Sequence, residues 1–291
     1  QKQGKVVVYF DSESAIDPSF LERTGCDLAR LMYVQASSVE FVLETIEELL
    51  GAADDQLVFI WDSLAFTPSI SDVEGDFNPQ SSMAVKARIL AKGMSKLTIP
   101  LADRQATLIV LNQLKTNIPQ GPNARVVAMT TPYITPGGKA MHYAYSLRVW
   151  LTGRKAKSSF IEDEKGFRIG SEVKVKLEKS RFGTQGRSCA FRILWGTEQI
   201  GIRDEESWFD AIKGSESLTS AGAWYTLSTP DGYTKKFQPS KWTDLVTSDE
   251  EFRARVVQIM DEEIVQKFDK REGDASAYYE DQDDLTVPVS E

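Results

Sequence analysis

The sequence is poor in the residues that hold metal ions and lock secreted folds. It has one histidine, His142, and two cysteines, Cys26 and Cys189, with no CxxC spacing. That excludes a histidine metal cluster and a cysteine-type zinc site, and it reads as a reducing compartment. No apolar run is long enough to span a bilayer. No signal peptide is visible, because Gln1-Lys2-Gln3-Gly4-Lys5 leads straight into a strand-like run. Positive charge is not in excess either: the net charge is −9. This argues against whole-surface attraction to nucleic acid, though not against a local basic groove. A phosphate-cradling GxxxxGK loop ending in Ser or Thr is also missing. Gly137-Gly138-Lys139 comes nearest, but Ala140 follows it and Tyr133 stands at the earlier glycine position. The first residue is Gln1 rather than Met, and the expectation is that the chain is part of a longer product.

What is present is a globular composition over 291 residues, enough for one large core with a smaller domain attached. KVVVYF (5–10), LMYVQA (31–36), LVFIWD (57–62) and ATLIVLNQ (106–113) read as strands, the first and third as continuous apolar runs. Residues 19–30 read as helical. In 39–51, Val39, Val42, Leu43, Ile46, Leu49 and Leu50 share one helical face behind Ser38, a good N-cap. In 81–97, Met83, Ala87, Leu90, Met94 and Leu97 do the same. The stretch 114–138 reads as a long irregular loop, and YSLRVWL (145–151) as the next strand. Residues 171–181 and 188–196 alternate polar and apolar across a hairpin with Gly183 and Gly186. This order predicts an α/β fold: a mostly parallel sheet flanked by helices, a late antiparallel hairpin and a small α+β carboxyl-terminal module. The expected divisions are 1–196, 197–271 and an acidic, disordered tail 272–291 with seven acids and no Lys or Arg.

Ligands of open α/β sheets bind outside the carboxyl ends of the strands. Three candidate strands end there in functional groups: Asp11 and Glu13, Asp62 and Ser63, Asn112 and Gln113. An apolar strand ending in an acid, as in LVFIWDS, is the pattern that holds Mg2+ beside a nucleotide phosphate. Glu13 could orient a water for attack on phosphate, and Gln113 could sense a phosphate with its amide. Each alone reads as readily as a solvated or capping group, and Asp11 reads as structural. Their coincidence at three strand ends favours a site.

Taken in order, DSESAIDPSF, FIWDSLAFTPSISDVEG, LIVLNQL, TPGGKAMHYAYSLRVWL, VKLEKSRFG, FRILWG and AGAWY resemble the RecA-like homologous recombinases, phage members included, from about residue 5 to about residue 245. The resemblance implies an ATP- and Mg2+-dependent protein that forms helical filaments on single-stranded DNA and pairs it with duplex DNA. It also implies a cytoplasmic setting, in a bacterial cell or a phage-infected host, and no membrane. Glu13 matches the glutamate that activates water. Asp17 and Phe20 match the acid and the aromatic ring that contact adenine, Phe standing where Tyr is more usual. Asp62, followed by Ser63, matches the Mg2+-binding acid, and Gln113 the amide coupling the γ-phosphate to DNA binding. Two DNA loops would span Ser69–Ser82 and Leu114–Pro136, the second several residues longer than in bacterial RecA. Arg88 matches a basic residue near the DNA backbone, Ile118 an apolar side chain inserted between base triplets, and Gly137, Gly138 and Lys139 a phosphate-gripping segment. Without the family, 137–139 reads as a glycine turn before a strand. Lys179 and Arg181 match cations that reach a neighbouring subunit's ATP. At the second position Arg replaces the Lys of bacterial RecA and adds a planar fork. His142 reads as a bystander, at a subunit contact. The family's strand-exchange arm and phosphate loop would lie upstream, so these residues alone should bind ATP weakly.

Two other classes fit parts of the pattern. One is a non-catalytic RecA-like assembly or regulatory DNA-binding protein, which has no need to keep Glu13, Gln113, Lys179 and Arg181 together. The other is a hexameric RecA-superfamily helicase, which the EKSRF, GGKA and AGAWY segments disfavour. The tail gives a direct test. If 272–291 competes with DNA for a basic groove, deleting it tightens duplex binding at low salt. An unchanged salt titration would remove that role.

Overall fold

The computed structural model describes residues 1–75, 83–131, 133–153, 159–196 and 200–265. Residues 76–82 of the first expected DNA loop and the acidic tail 272–291 lie outside the described residues. The chain forms two compact units, Gln1–Ser146 and Leu147–Glu291.

The first unit is built on a parallel sheet of order β2-β1-β3-β4, with β1 Val6–Asp11, β2 Leu31–Gln35, β3 Leu57–Asp62 and β4 Thr107–Val110. Burial alternates along β1 and β3: Val8, Phe10, Leu57, Phe59 and Trp61 are buried, while Val7, Tyr9, Val58 and Ile60 are only half-buried. The buried face packs on α2 Val39–Ala52 and α4 Met83–Asp103, through Val42, Ile46, Leu50, Leu90 and Leu97. The continuous apolar runs of the sequence therefore hide an alternation. The second face carries Tyr9 and ends in Asp62.

Ser38 caps α2 by accepting from Phe41 N at 3.1 Å. Helix α4 runs to Asp103, past Pro100 and beyond the predicted end at 97, with Leu101 packed against the same core. The expected helix over 19–30 is shorter: α1 Pro18–Arg23, then a 3-10 turn at Leu28–Arg30. Gly25 at φ +89° separates the two. The stretch expected to be irregular contains α5 Ala124–Thr130 between two short strands, β5 Lys115–Thr116 and β6 Tyr133–Ile134, and leads into α6 Gly138–Ala144.

The second unit has an antiparallel sheet of order β11-β10-β9-β7, with β8 also on β9. These strands are β7 Leu147–Gly153, β8 Phe160–Glu162, β9 Arg168–Ser180, β10 Ser188–Leu194 and β11 Gly201–Arg203. The β9–β10 turn uses Gly183 and Gly186 at φ +72° and +87°. Its carboxyl-terminal part folds a three-stranded antiparallel sheet, β12 Leu218–Ala221, β13 Trp224–Ser228 and β14 Thr234–Phe237, with α7 Glu205–Ile212, α8 Trp242–Ser248 and α9 Glu250–Ile259. Phe209, Phe237, Trp242 and Phe252 form the centre of its separate core. The buried indole of Trp242 donates to Glu205 O at 2.6 Å.

The two faces of α4 separate in a stability experiment. Leu90 is fully buried and Ile99 is 69% exposed. Leu90→Ala lowers unfolding free energy by roughly 2–5 kcal/mol in urea denaturation, and Ile99→Ala by no more than about 0.5 kcal/mol.

Candidate functional site at three strand ends

Register places the acids. In the parallel ladder Asp11 of β1 is level with Asp62 of β3 and with Gln35 of β2, and Tyr9 is level with Tyr33 and Ile60. Level residues of neighbouring strands point to one face, and so do residues two apart on one strand. Two phenols and two carboxylates therefore share the face opposite the α2 and α4 core. Each phenol reaches diagonally to the acid of the next strand. Tyr33 donates to Asp11 Oδ2 at 3.0 Å, and Tyr9 to Asp62 Oδ2 at 2.6 Å.

The acids are used differently. Asp11 is 2% exposed, and its Oδ1 accepts from the backbone N–H groups of Glu13 and Ser14 at 2.9 and 2.8 Å. Its carboxylate folds the chain over the strand end, which fits its reading as structural. Glu13 is exposed, and its Oε1 accepts from Ser63 Oγ at 2.7 Å. Ser63 is fixed in turn: its N–H donates to Ser12 Oγ at 2.8 Å, and Ser12 Oγ donates to Ser63 O at 2.9 Å. Burial first, then the Asp62 hydrogen bond, then the charges of Asp62, Asp11 and Glu13 push the Tyr9 phenol far above its ordinary range. It stays protonated and keeps Asp62 in one orientation.

The turn after β3 anchors this cluster. Leu64 N–H donates to Leu111 O at 3.0 Å and Leu111 N–H to Trp61 O at 2.9 Å, so the end of β4 closes against it. Asn112 Nδ2 holds Pro136 O at 2.9 Å, and its Oδ1 accepts from Gln113 N–H at 2.9 Å. The Gln113 side chain is exposed at this edge. Lys86 of α4 donates to Leu64 O and Thr67 O at 2.7 and 2.6 Å.

The remaining predicted residues are placed as follows. Asp17 is the N-cap of α1, its Oδ1 accepting from Ser19 N–H at 2.9 Å and Phe20 N–H at 3.4 Å. A bond from the Ser19 side chain, then those two amides, hold its carboxyl below the usual range. Phe20 is partly exposed on the same helix. Arg88 is exposed on α4, and Ile118 is 83% exposed. Gly137 and Gly138 take φ +103° and +73° and open α6, with Lys139 exposed on its first turn. A helix thus replaces the alternative of a glycine turn before a strand. A Cβ on Gly137 would lie 2.9 Å from Met141 Cγ and 3.2 Å from Leu64 Cδ2, so left-handed backbone and close packing both require glycine. His142 of α6 hydrogen-bonds Tyr145 through Nδ1. Lys179 and Arg181 stand in the second unit, at the end of β9 and the start of its hairpin; Lys179 is level with Arg148 of β7.

Glu13, Asp62 and Ser63 thus form one hydrogen-bonded cluster with Tyr9 and Ser12. Among the described residues no group of three or more His, Cys, Asp or Glu could hold a metal ion. A divalent cation at Asp62 would take its other ligands from water and a phosphate, as Mg2+ commonly does. Tyr9, Ser12, Tyr33 and Lys86 were not found by sequence reasoning. The period-two spacing of Tyr9 from Asp11 was the available signal for the first. Also among the described residues, no helix is long and apolar enough to cross a membrane.

The profile of the RecA N-terminal domain matches residues 1–201. Protein RecA of Fusobacterium nucleatum subsp. nucleatum is 31% identical over 229 residues, covering 78% of this chain and 56% of that protein. Protein RecA of Colwellia psychrerythraea is 31% identical over 230 residues, covering 78% and 61%, and that of Clavibacter michiganensis subsp. michiganensis 30% over 226, covering 78% and 58%. The match spans little more than half the length of these curated relatives.

The two acids of the β1 end separate experimentally. Asp11→Ala strands two amides and a phenol and lowers stability by roughly 1–3 kcal/mol in urea denaturation. Glu13→Ala, at an exposed position, gives a clearly smaller loss.

Proposed function

The chain belongs to the RecA family, and from that premise we propose that it works as part of an ATP-dependent DNA recombinase. In this reading it polymerises on single-stranded DNA and pairs that strand with a homologous duplex. The observation that carries the proposal is the cluster at the strand ends, where Glu13 is held by Ser63 one residue from Asp62. An exposed carboxylate with a fixed orientation suits a base that aligns water against a phosphate. Asp62, its Oδ2 held by Tyr9, would hold a hydrated Mg2+ through water. When bound, that ion supplies neutralisation of phosphate charge. Ser63 keeps Glu13 in place, and Asp17 and Phe20 would border the adenine, Phe20 by stacking. Gln113, at the next strand end, would report the γ-phosphate to the segment behind it.

DNA would meet Arg88, Ile118, Gly137, Gly138 and Lys139, with the cations on phosphates and Ile118 against bases. Lys179 and Arg181, at the end of β9 and the start of its hairpin, would act on ATP bound by a neighbouring copy. Residues 1–196 would form the ATPase core, 197–271 a smaller domain and 272–291 an acidic regulator of DNA access.

Fluorescence anisotropy with labelled oligo(dT) tests the proposal directly. Arg88→Ala and Lys139→Ala should each weaken binding and flatten the plot of log affinity against log salt by about 0.7, the share of one phosphate contact on a single strand. Both side chains are exposed, so folding is expected to survive. Slopes unchanged in both variants would remove this DNA surface. Closed rings rather than open helical filaments in electron micrographs would favour a helicase.

A further inference from the structure

We propose that Lys86 is a positioning residue that couples α4, the helix after the first loop, to the turn carrying Ser63, so that a DNA strand at α4 is felt at Glu13. The inference rests on the DNA surface proposed above. In the turn Ser63–Ser69 the polar side chains are buried, with Ser63 at 4% and Thr67 and Ser69 at 0% exposure, while Phe66 faces solvent. Ser63 O accepts from Ser12 Oγ at 2.9 Å, Thr67 Oγ1 at 2.8 Å, Phe66 N at 3.2 Å and Thr67 N at 3.1 Å. The Trp61 indole donates to Thr67 Oγ1 at 2.7 Å. Pro68 O accepts from Val39 N at 2.8 Å, which ties in the start of α2. The turn therefore moves as one body with Ser63, and Ser63 holds Glu13.

Lys86 is the polar link from α4 to that body. Its ammonium bridges Leu64 O and Thr67 O, two carbonyls within the turn. Buried carbonyls need donors, and a cation on a flexible stem reaches both at once. Leu90, four residues on, is fully buried, so Lys86 lies along the core side of α4. Arg88 is two residues from Lys86, about 200° around the helix, and is exposed. One helix thus presents a cation outward and a clamp inward, and a pull on the first displaces the second. Lys86 also feels the charges of Asp72, from α3 Ile70–Glu74 in the first loop, and of Lys115 at the start of the second loop. The clamp therefore sits where both loops leave the sheet.

Trp61 is the reporter. The 291-residue chain labelled with fluorotryptophan gives a Trp61 signal, assigned by its loss in Trp61→Phe and its displacement in Thr67→Val. Saturating oligo(dT), with binding followed by anisotropy, should shift that signal in the wild type and in Lys86→Arg. In Lys86→Met the shift should fall to less than half while the DNA still binds. If Lys86→Met does not fold, Lys86→Gln takes its place. A brace with no coupling role predicts a lower melting temperature with the shift intact, and that result overturns the proposal. So does an unmoved Trp61 signal in wild type that binds oligo(dT). Failure of the wild type to bind oligo(dT) at all overturns instead the DNA surface on which the inference rests, and the inference with it.

Discussion

The site depends on one register: Asp11 of β1 level with Asp62 of β3 in a parallel ladder. A slip of one residue would turn Tyr9 and Asp62 into the α2 and α4 core and expose Phe10 and Trp61. The apolar face fixes the ladder, because Val8, Phe10, Phe59 and Trp61 are all fully buried. Hydrophobic burial on one face thus sets the chemistry on the other. With the register fixed, Ser12 must lie beside Ser63, and the exchange of hydrogen bonds between them follows. Glu13 then has a partner, Ser63 Oγ, that it could not have found from β1 alone.

The second level of organisation is the turn after β3. It collects bonds from β1, β4, α2 and α4, so its position is over-determined. Burying these peptide groups is tolerable because distant segments supply their partners: Ser12, Val39, Lys86 and Leu111. Such a body is suited to carrying a displacement between two surfaces, since no single side-chain rotation can absorb it. The glycines that open α6 serve the same packing. A Cβ on Gly137 would press on Met141 of α6 and on Leu64 of the turn, and the residue sits at φ +103°, so glycine suits this position.

Much of this was legible in the sequence. The four parallel strands, α2 and the β9–β10 hairpin stand close to where apolar runs, Ser38 and the glycine pair predict them. The strand-end acids and amides were also visible as a set, and the family resemblance is matched by the relatives. Three features were not legible. The runs KVVVYF and LVFIWD read as buried on both faces, because Val7, Val58 and Ile60 are apolar wherever they point. Helix α5 was missed inside a Pro- and Gly-rich stretch, though Ala124–Thr130 contains neither residue and follows Gly121-Pro122-Asn123. Lys86 looked like any lysine on an amphipathic helix. Its role depends on two carbonyls about twenty residues away in sequence, and no local pattern encodes that.

The difference between Asp11 and Glu13 shows what three-dimensional context adds. The two acids are separated by one serine, and both belong to a group of carboxylates with Asp62. Two unit charges about 4 Å apart repel by roughly 4 kcal/mol at an effective dielectric near 20. Carboxylates gathered at one strand end call for donors. Asp11 receives two backbone amides and the Tyr33 phenol, so its charge is spread over three donors. Among the described residues Asp62 receives one phenol, and Glu13 one hydroxyl. The acid with the most donors is the buried one, and it shapes the loop. The two with one donor each keep lone pairs for a water or a hydrated cation. Asp11 carries the geometry, and its compensation is what lets two more exposed carboxylates stand beside it with oxygens to spare.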